Sequence, residues 1–328
     1  MAYILLFSTQ AVWAKPDIYL FLGSSSAAEY LSHLKNPNIR GAQIIYSWKD
    51  LEPEPGIYDF SRIDNDLKTL KSINKLLFIQ VQDKSFQPKI IPVPEYLQKN
   101  KIYKGGIAKQ YDFPGEGVPI ASGWVAKQWV PELRHRFQKL LGQLGRKYDG
   151  RIAGINLTET SIDLDKDNLP DEFSCNLYFD SIIDNVTYLK TRFHQSKVVQ
   201  YVNFFPCEWN NDQNYMKRIF DSAIKYNFGL GGPDTVPFRK GHMANSYPYF
   251  HQYTNKLSLI AMAVQEPDYT YINTETGLPF TLEKLYEFSS NYLGASIIFW
   301  NVQEPQLSQH LIPLLEQIKS NNVRIAGG

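Results

Sequence analysis

Cysteine is nearly absent: only Cys175 and Cys207 occur in 328 residues, which excludes a disulfide-dense scaffold and any four-cysteine zinc site. Charge of one sign is missing too. The formal net charge is +1 and Lys and Arg are scattered without a polybasic block, so the chain carries no electrostatic footprint for nucleic acid or an anionic membrane. The six histidines (His33, His135, His194, His242, His251, His310) show no metal-ligand spacing, and neither H-E-x-x-H nor G-x-S-x-G appears. The sequence therefore supports no metal, no cofactor and no serine mechanism. Asp163, Asp165 and Asp167 alternate like the start of a calcium loop, but the required glycine and closing glutamate are absent, so a solvated loop is expected. Beyond the N-terminus, no run is long and apolar enough to span a bilayer.

Aromatic residues are plentiful: 14% of the chain, with 21 Tyr and 6 Trp. Flat rings with polar edges suit neutral, hydroxylated partners, although a large core consumes aromatics as well. The first fourteen residues, MAYILLFSTQAVWA, read as the apolar region of a signal peptide closing at Val12-Trp13-Ala14. No Lys or Arg precedes that run, which leaves an ordinary buried strand as the other reading. The expected organisation is a signal peptide over 1–14 and one domain over 15–328. Such a protein is secreted or periplasmic, or cytoplasmic if the segment is not a signal.

Apolar runs of strand length recur at Asp17–Gly23, Ala42–Ser47, Leu76–Gln82, Ile152–Glu159, Val198–Phe204, Phe228–Gly232, Leu257–Glu266 and Ala295–Asn301. Several are apolar on both faces, as in a parallel sheet covered by helices. Amphipathic helical patterns such as PELRHRFQKLLGQLGRKY and NYMKRIFDSAIKYN lie between them. Eight strands in this alternation predict a (β/α)8 TIM barrel, a single domain whose longest loop, Asp83 to Gly123, follows strand three. A doubly wound sheet is weaker, because the first strand runs into GSSSAAEYL instead of G-x-G-x-x-G. The glycines of GLGGPD near Gly229 come late and read as a tight turn.

Barrel strands present their C-termini and following loops to the active face. The stretch GAQIIYSWKDLEPEPGIYDFSRID places Trp48, Glu52, Pro53, Gly56, Tyr58 and Phe60 there, after strand two. It resembles the corresponding segment of the clan of retaining β-glycoside hydrolases with (β/α)8 barrels, and the β-galactosidase-like members most. In physical terms the prolines stiffen the loop, Gly56 turns it, and Asp59 or Ser61 caps the next helix. Trp48 offers either a face to stack on a sugar or a ring to bury beneath the loop.

That resemblance implies a general acid/base Glu at the end of strand four and a nucleophilic Glu at the end of strand seven. GINLTETSID supplies Glu159 and LIAMAVQEPDY supplies Glu266 at those places. The clan usually has Asn just before the acid/base to bind the sugar 2-hydroxyl; here Thr158 stands there, with Asn156 two positions earlier. Trp300 and Asn301 close strand eight where the clan commonly has an aromatic platform, and Trp124 ends the long loop as a candidate cleft wall. The implied function is hydrolysis of β-glycosidic bonds in an oligo- or polysaccharide by retaining double displacement. A catalytically silent carbohydrate-binding barrel is the alternative, motivated by Thr158. A third reading, an aldolase-like barrel, finds no obvious phosphate site and no active-site Lys at a strand end. Cys175 and Cys207 fall at the active end of adjacent units, either bridged in an exported protein or as two buried thiols.

Overall fold

The computed structural model describes residues 15–112 and 120–320. The expected signal peptide over 1–14 lies outside the described residues. Eight parallel strands close into a barrel. In chain order, strands one to eight are Asp17–Phe21, Gly41–Ser47, Leu76–Gln82, Gly154–Leu157, Lys197–Tyr201, Gly229–Gly232, Ile260–Val264 and Ile297–Asn301. Each of the eight predicted runs overlaps one of these strands, and strands two and five begin one residue before the predicted run. The ring shuts where strand one pairs with strand eight, Asp17 opposite Ile297 through Phe21 opposite Asn301.

Alternation along the strands divides the core in two. Tyr19, Phe78, Val199, Tyr201, Ala261 and Phe299 fill the barrel interior, while the intervening residues pack outward on the helices. Gly154 is required inside: a Cβ there would come within 2.4 Å of the Phe78 ring, so the small residue of one strand receives the large one of its neighbour. The main helices of the outer layer include Ser61–Ser72, Pro131–Tyr148, Cys175–Lys190 and Tyr215–Tyr226. The last starts and ends within one residue of the predicted NYMKRIFDSAIKYN.

The segment after strand three is a correction. In place of an irregular loop, the chain forms a three-stranded antiparallel sheet from Lys84–Ser85, Ile107–Asp112 and Ile120–Ala126, with a short helix at Glu95–Lys99. Gly123 sits inside a strand of it. These strands are short, bulged at Gln110/Tyr111 and half exposed, so their period-2 signal is diluted by polar and glycine residues. The sheet is anchored to the barrel where the Tyr111 amide donates to the Asp163 carbonyl at 2.8 Å.

The proline-rich stretch after strand two is a clamp. Glu52 is fully buried, forms an ion pair with Arg136, and accepts from the Trp48 indole N–H and the Gly56 amide at 3.0 Å each. Gly56 supplies the turn with φ +79°, a conformation that favours glycine. Arg136 also donates to Tyr96 at 3.0 Å and Tyr58 at 3.3 Å. Removing one partner of a buried pair leaves the other charge uncompensated. Glu52→Gln is therefore expected to lower unfolding free energy by about 3 kcal/mol, read from the midpoint of chemical denaturation.

A disulfide joins Cys175, at the start of its helix, to Cys207, beyond strand five, with Cα atoms 6.2 Å apart. Among the described residues no helix is long and apolar enough to cross a membrane.

Candidate active site

Glu159 lies two residues beyond strand four, half-buried at the C-terminal mouth of the barrel. The chain around it is fixed by residues from neighbouring strands and the segments after them and by one helix. The Thr158 hydroxyl donates to Asp83 at 2.8 Å, and the Thr158 carbonyl accepts from Gln200 at 2.6 Å. The Glu159 carbonyl accepts from the Lys84 ammonium at 2.5 Å. Tyr178 O–H donates to the Thr160 carbonyl at 2.9 Å, and the Ser161 amide donates to Asn203 Oδ1 at 3.0 Å. The Asn203 side-chain amide in turn donates to the Glu159 carboxylate. A carboxyl held by so many contacts is positioned before any ligand arrives.

Its electrostatics favour the protonated form. Burial pushes the Glu159 pKa up to about 7, helped by the negative charge of Asp234, with Lys84 and the Asn203 hydrogen bond pulling the other way. Asp234 follows strand six and has His242 Nε2 at 3.5 Å behind it. Burial pushes Lys84 down from the usual lysine range. Its ammonium also donates to Tyr178 O–H at 3.0 Å, so it is a fixed donor.

The mouth encloses a cavity of about 100 Å³ lined by Gln43, Gln80, Gln82, Lys84, Thr158 and Glu159, with Phe86 and Gln265 at its rim. Phe21, Ile45, Tyr201, Pro233 and Ala263 complete the wall, so amide and hydroxyl groups alternate with apolar surface, a mixture that suits a ligand presenting hydroxyls on an apolar ring. Among the described residues no group of three or more His, Cys, Asp or Glu side chains is arranged to hold a metal ion. The Asp163–Asp167 stretch is a loop in which Asp165 accepts from the Asp167 amide at 3.0 Å and the Asn168 side chain at 2.8 Å.

The sequence-derived candidates divide clearly. Glu159 and Thr158 line the cavity. Glu266 begins a short helix, Glu266–Thr270, directly after Gln265 at the end of strand seven, so its backbone is at the same mouth; its side chain lies outside the described residues. Asn301 ends strand eight in the inward register of Ile297 and Phe299, with its carbonyl accepting from Tyr269 at 2.9 Å. Asn156 is fully buried below the mouth, its Oδ1 accepting from Gln43 at 2.9 Å, and presents no free edge to a ligand.

The three tryptophans are placed away from the cavity. Trp48 is fully buried against Phe137, ring centroids 4.8 Å apart, as part of the Glu52 clamp. Trp300 points out of the barrel into the helix layer and has no exposed surface. It sits parallel to Tyr269 with centroids 6.5 Å apart and offers no platform. Trp124 is half-buried in the inserted sheet, donating to the Pro88 carbonyl at 2.9 Å; Phe86 of the same insertion reaches the cavity instead.

Lys84, Asn203 and Asp234 were missed in the sequence, and the expectation that no lysine stands at a strand end is corrected by Lys84, two residues past strand three. Its signal was available: LLFIQVQDKS follows an apolar run with Asp-Lys where the chain must enter the mouth. The electrostatic arrangement makes a testable pair. Removing the cation in Lys84→Met should raise the Glu159 pKa, and removing the anion in Asp234→Asn should lower it. Carboxyl ¹³C chemical-shift titration of Glu159 measures both without requiring turnover; shifts of the same sign would contradict the arrangement. Lys84→Met should also cost roughly 10–100-fold in kcat/KM, because the Glu159 loop loses its tether.

No family model matches the chain, and no curated protein matches it in sequence. Solved structures do match its fold. The catalytic domain of a β-amylase from Paenibacillus polymyxa is 9% identical, with 93% of this chain and 100% of that one covered and a TM-score of 0.59. A β-galactosidase from the psychrophilic Marinomonas ef1 is 10% identical over 92% of this chain, which spans 59% of that protein, at a TM-score of 0.57. Endo-glycoceramidase II from Rhodococcus sp., solved as its lactosyl-enzyme intermediate, is 10% identical, with 90% and 74% covered and a TM-score of 0.53. These neighbours are glycoside hydrolases, and what the chain shares with them at such identity is the (β/α)8 barrel.

Proposed function

We propose that this protein is a glycoside hydrolase that cleaves β-glycosidic bonds with retention, Glu159 acting as general acid/base and Glu266 as nucleophile. The observation that carries the reading is Glu159 itself: a positioned carboxyl with its pKa raised to about 7, at the end of strand four of a barrel, in a cavity that four glutamines and Thr158 help to line. Cleavage of a glycosidic bond passes through an oxocarbenium-like state, so one carboxylic acid must protonate the departing oxygen while a carboxylate attacks or stabilises the anomeric carbon. Glu159 has the environment of the acid. Glu266 occupies the backbone position at strand seven that suits the nucleophile, and a separation of roughly 5–5.5 Å between the two carboxyls is what retention needs. The lactosyl-enzyme of the Rhodococcus endo-glycoceramidase supports the idea that such a barrel accommodates a covalent glycosyl intermediate.

Thr158 favours a second reading, a carbohydrate-binding barrel without turnover. Its hydroxyl is taken up by Asp83 where a 2-hydroxyl ligand would be expected. Export fits the Cys175–Cys207 bridge, since disulfides persist in oxidising compartments, and N-terminal sequencing of the mature protein near Lys15 tests it.

The decisive experiment is a panel of 4-nitrophenyl β-glycosides and oligosaccharides, with the first-formed anomer followed by proton NMR. Release of the β-anomer is expected. An α-anomer as first product would overturn the double displacement, and oligosaccharide binding without any turnover would favour the silent barrel.

A further inference from the structure

Beside the mouth, the loops after strands six and seven open a larger groove of about 780 Å³ with a cluster of exposed apolar side chains. Phe238 stands on edge against Phe288 and Tyr292, with centroids 5.1 and 5.6 Å away. Those two rings lie nearly parallel at 4.9 Å. Phe238 is 65% exposed, and its φ of +55° is one that bulky residues rarely adopt; the loop holds an apolar ring outward against both solvent and backbone preference. Ile272 lines the same groove and is 48% exposed. It belongs to a hairpin-like turn closed by the Asn273 amide donating to the Leu278 carbonyl at 2.9 Å, and Leu278 is 65% exposed. Arg239 lies 5.1 Å from the Tyr271 ring at the edge.

The two sites share their loops. Pro233 and Gln265 line the mouth, while Phe238 and Tyr271, a few residues further on, line the groove. The loops are tied by Gln265 donating to the Pro233 carbonyl at 2.7 Å and the Thr235 amide donating to Asp268 at 2.9 Å. A ligand lying across both would be polar at one end and apolar at the other.

We propose that the groove takes the apolar tail of an amphiphilic glycoside, an alkyl or acyl chain on the leaving-group side, whose sugar occupies the mouth. This rests on the glycosidase reading for the mouth. The groove also carries polar residues, Lys240, Glu275, Lys284 and Asn291 among them, but exposed Ile272 and Phe238 offer aliphatic and aromatic surface that an apolar chain desolvates favourably. The volume falls in the range of small-ligand sites.

The test uses the intact protein and an apolar fluorescent probe, 1-N-phenylnaphthylamine. The probe should bind the wild type and be displaced by octyl β-glucoside below its micelle concentration, but not by methyl β-glucoside or by cellotetraose. Across alkyl glucosides, displacement should tighten about fourfold for each methylene buried. Phe238→Ser and Ile272→Asp should each weaken probe binding about tenfold with little change in melting temperature, both residues being exposed. Absence of probe binding, equal binding by both variants, or displacement by cellotetraose would overturn the proposal. Hydrolysis of 4-nitrophenyl glycosides is read separately, as the test of turnover at the mouth. If no glycoside is turned over while probe binding still depends on Phe238, the hydrolase reading falls and the apolar site stands.

Discussion

Glu159→Gln should lower kcat/KM roughly 10²–10⁴-fold on glycosides whose leaving group is another sugar or an alcohol. Dinitrophenyl glycosides, which depart without protonation, should lose far less in the first step. The difference follows from what the substitution removes. Gln keeps the size and the hydrogen bond to Asn203 but has no proton to give, so the loss scales with how much the leaving oxygen needs one. The pH dependence has a definite sign. A general acid works only while protonated, and Glu159 titrates at about pH 7, so wild-type kcat/KM for poor leaving groups should fall as pH rises through about 7. That alkaline limb should be missing in Glu159→Gln. A variant that retains wild-type rates on an alkyl glycoside, or keeps the same limb, would remove Glu159 from the role. A binding-only barrel would show neither effect, which is why leaving-group dependence is the sharper readout than activity alone.

How legible this was in the sequence depends on whether the information is local. The eight strands are readable because each is a short apolar run bounded by polar or glycine punctuation, and burial on both faces leaves a strong signature. Glu159 is readable for the converse reason: a carboxylate emerging from an apolar strand contradicts the burial around it. Side-chain direction is not so readable. In IIFWN, Phe299 enters the barrel and Trp300 leaves it, and a one-residue change of register would exchange them. Sequence pattern fixes the existence of such a strand more firmly than its parity. Asn156 and Thr158 share the inward parity of Gly154, yet depth separates them: Asn156 is sealed under Gln43 and Tyr201, while Thr158 reaches the cavity. Lys84, Asn203 and Asp234 were illegible as a group because they come from the segments just after strands three, five and six and meet only through barrel closure. Trp48 was placed correctly at the mouth end of strand two, but Arg136, 88 residues later by its number, decides that its loop is a clamp.

The largest loss is expected from Glu266→Ala. In the proposed mechanism this substitution removes the nucleophile and with it the covalent intermediate, so turnover of every substrate should fall by at least about 10⁴-fold, good leaving groups included. This is what distinguishes it from Glu159→Gln, where an activated leaving group bypasses the defect. Added azide sharpens the contrast. In Glu266→Ala, the space left by the carboxylate admits azide on the face opposite the leaving group while Glu159 still protonates the departing oxygen; the product should be the glycosyl azide of inverted configuration. In Glu159→Ala, the intermediate still forms from a dinitrophenyl glycoside, and azide attacks it from the face the leaving group vacated, giving net retention. Two variants, one reagent and opposite stereochemistry thus assign both roles. Retained azide product from Glu266→Ala would mean that another carboxylate carries the intermediate. Asp234, whose charge acts on Glu159 from the end of strand six, would then be the residue to replace.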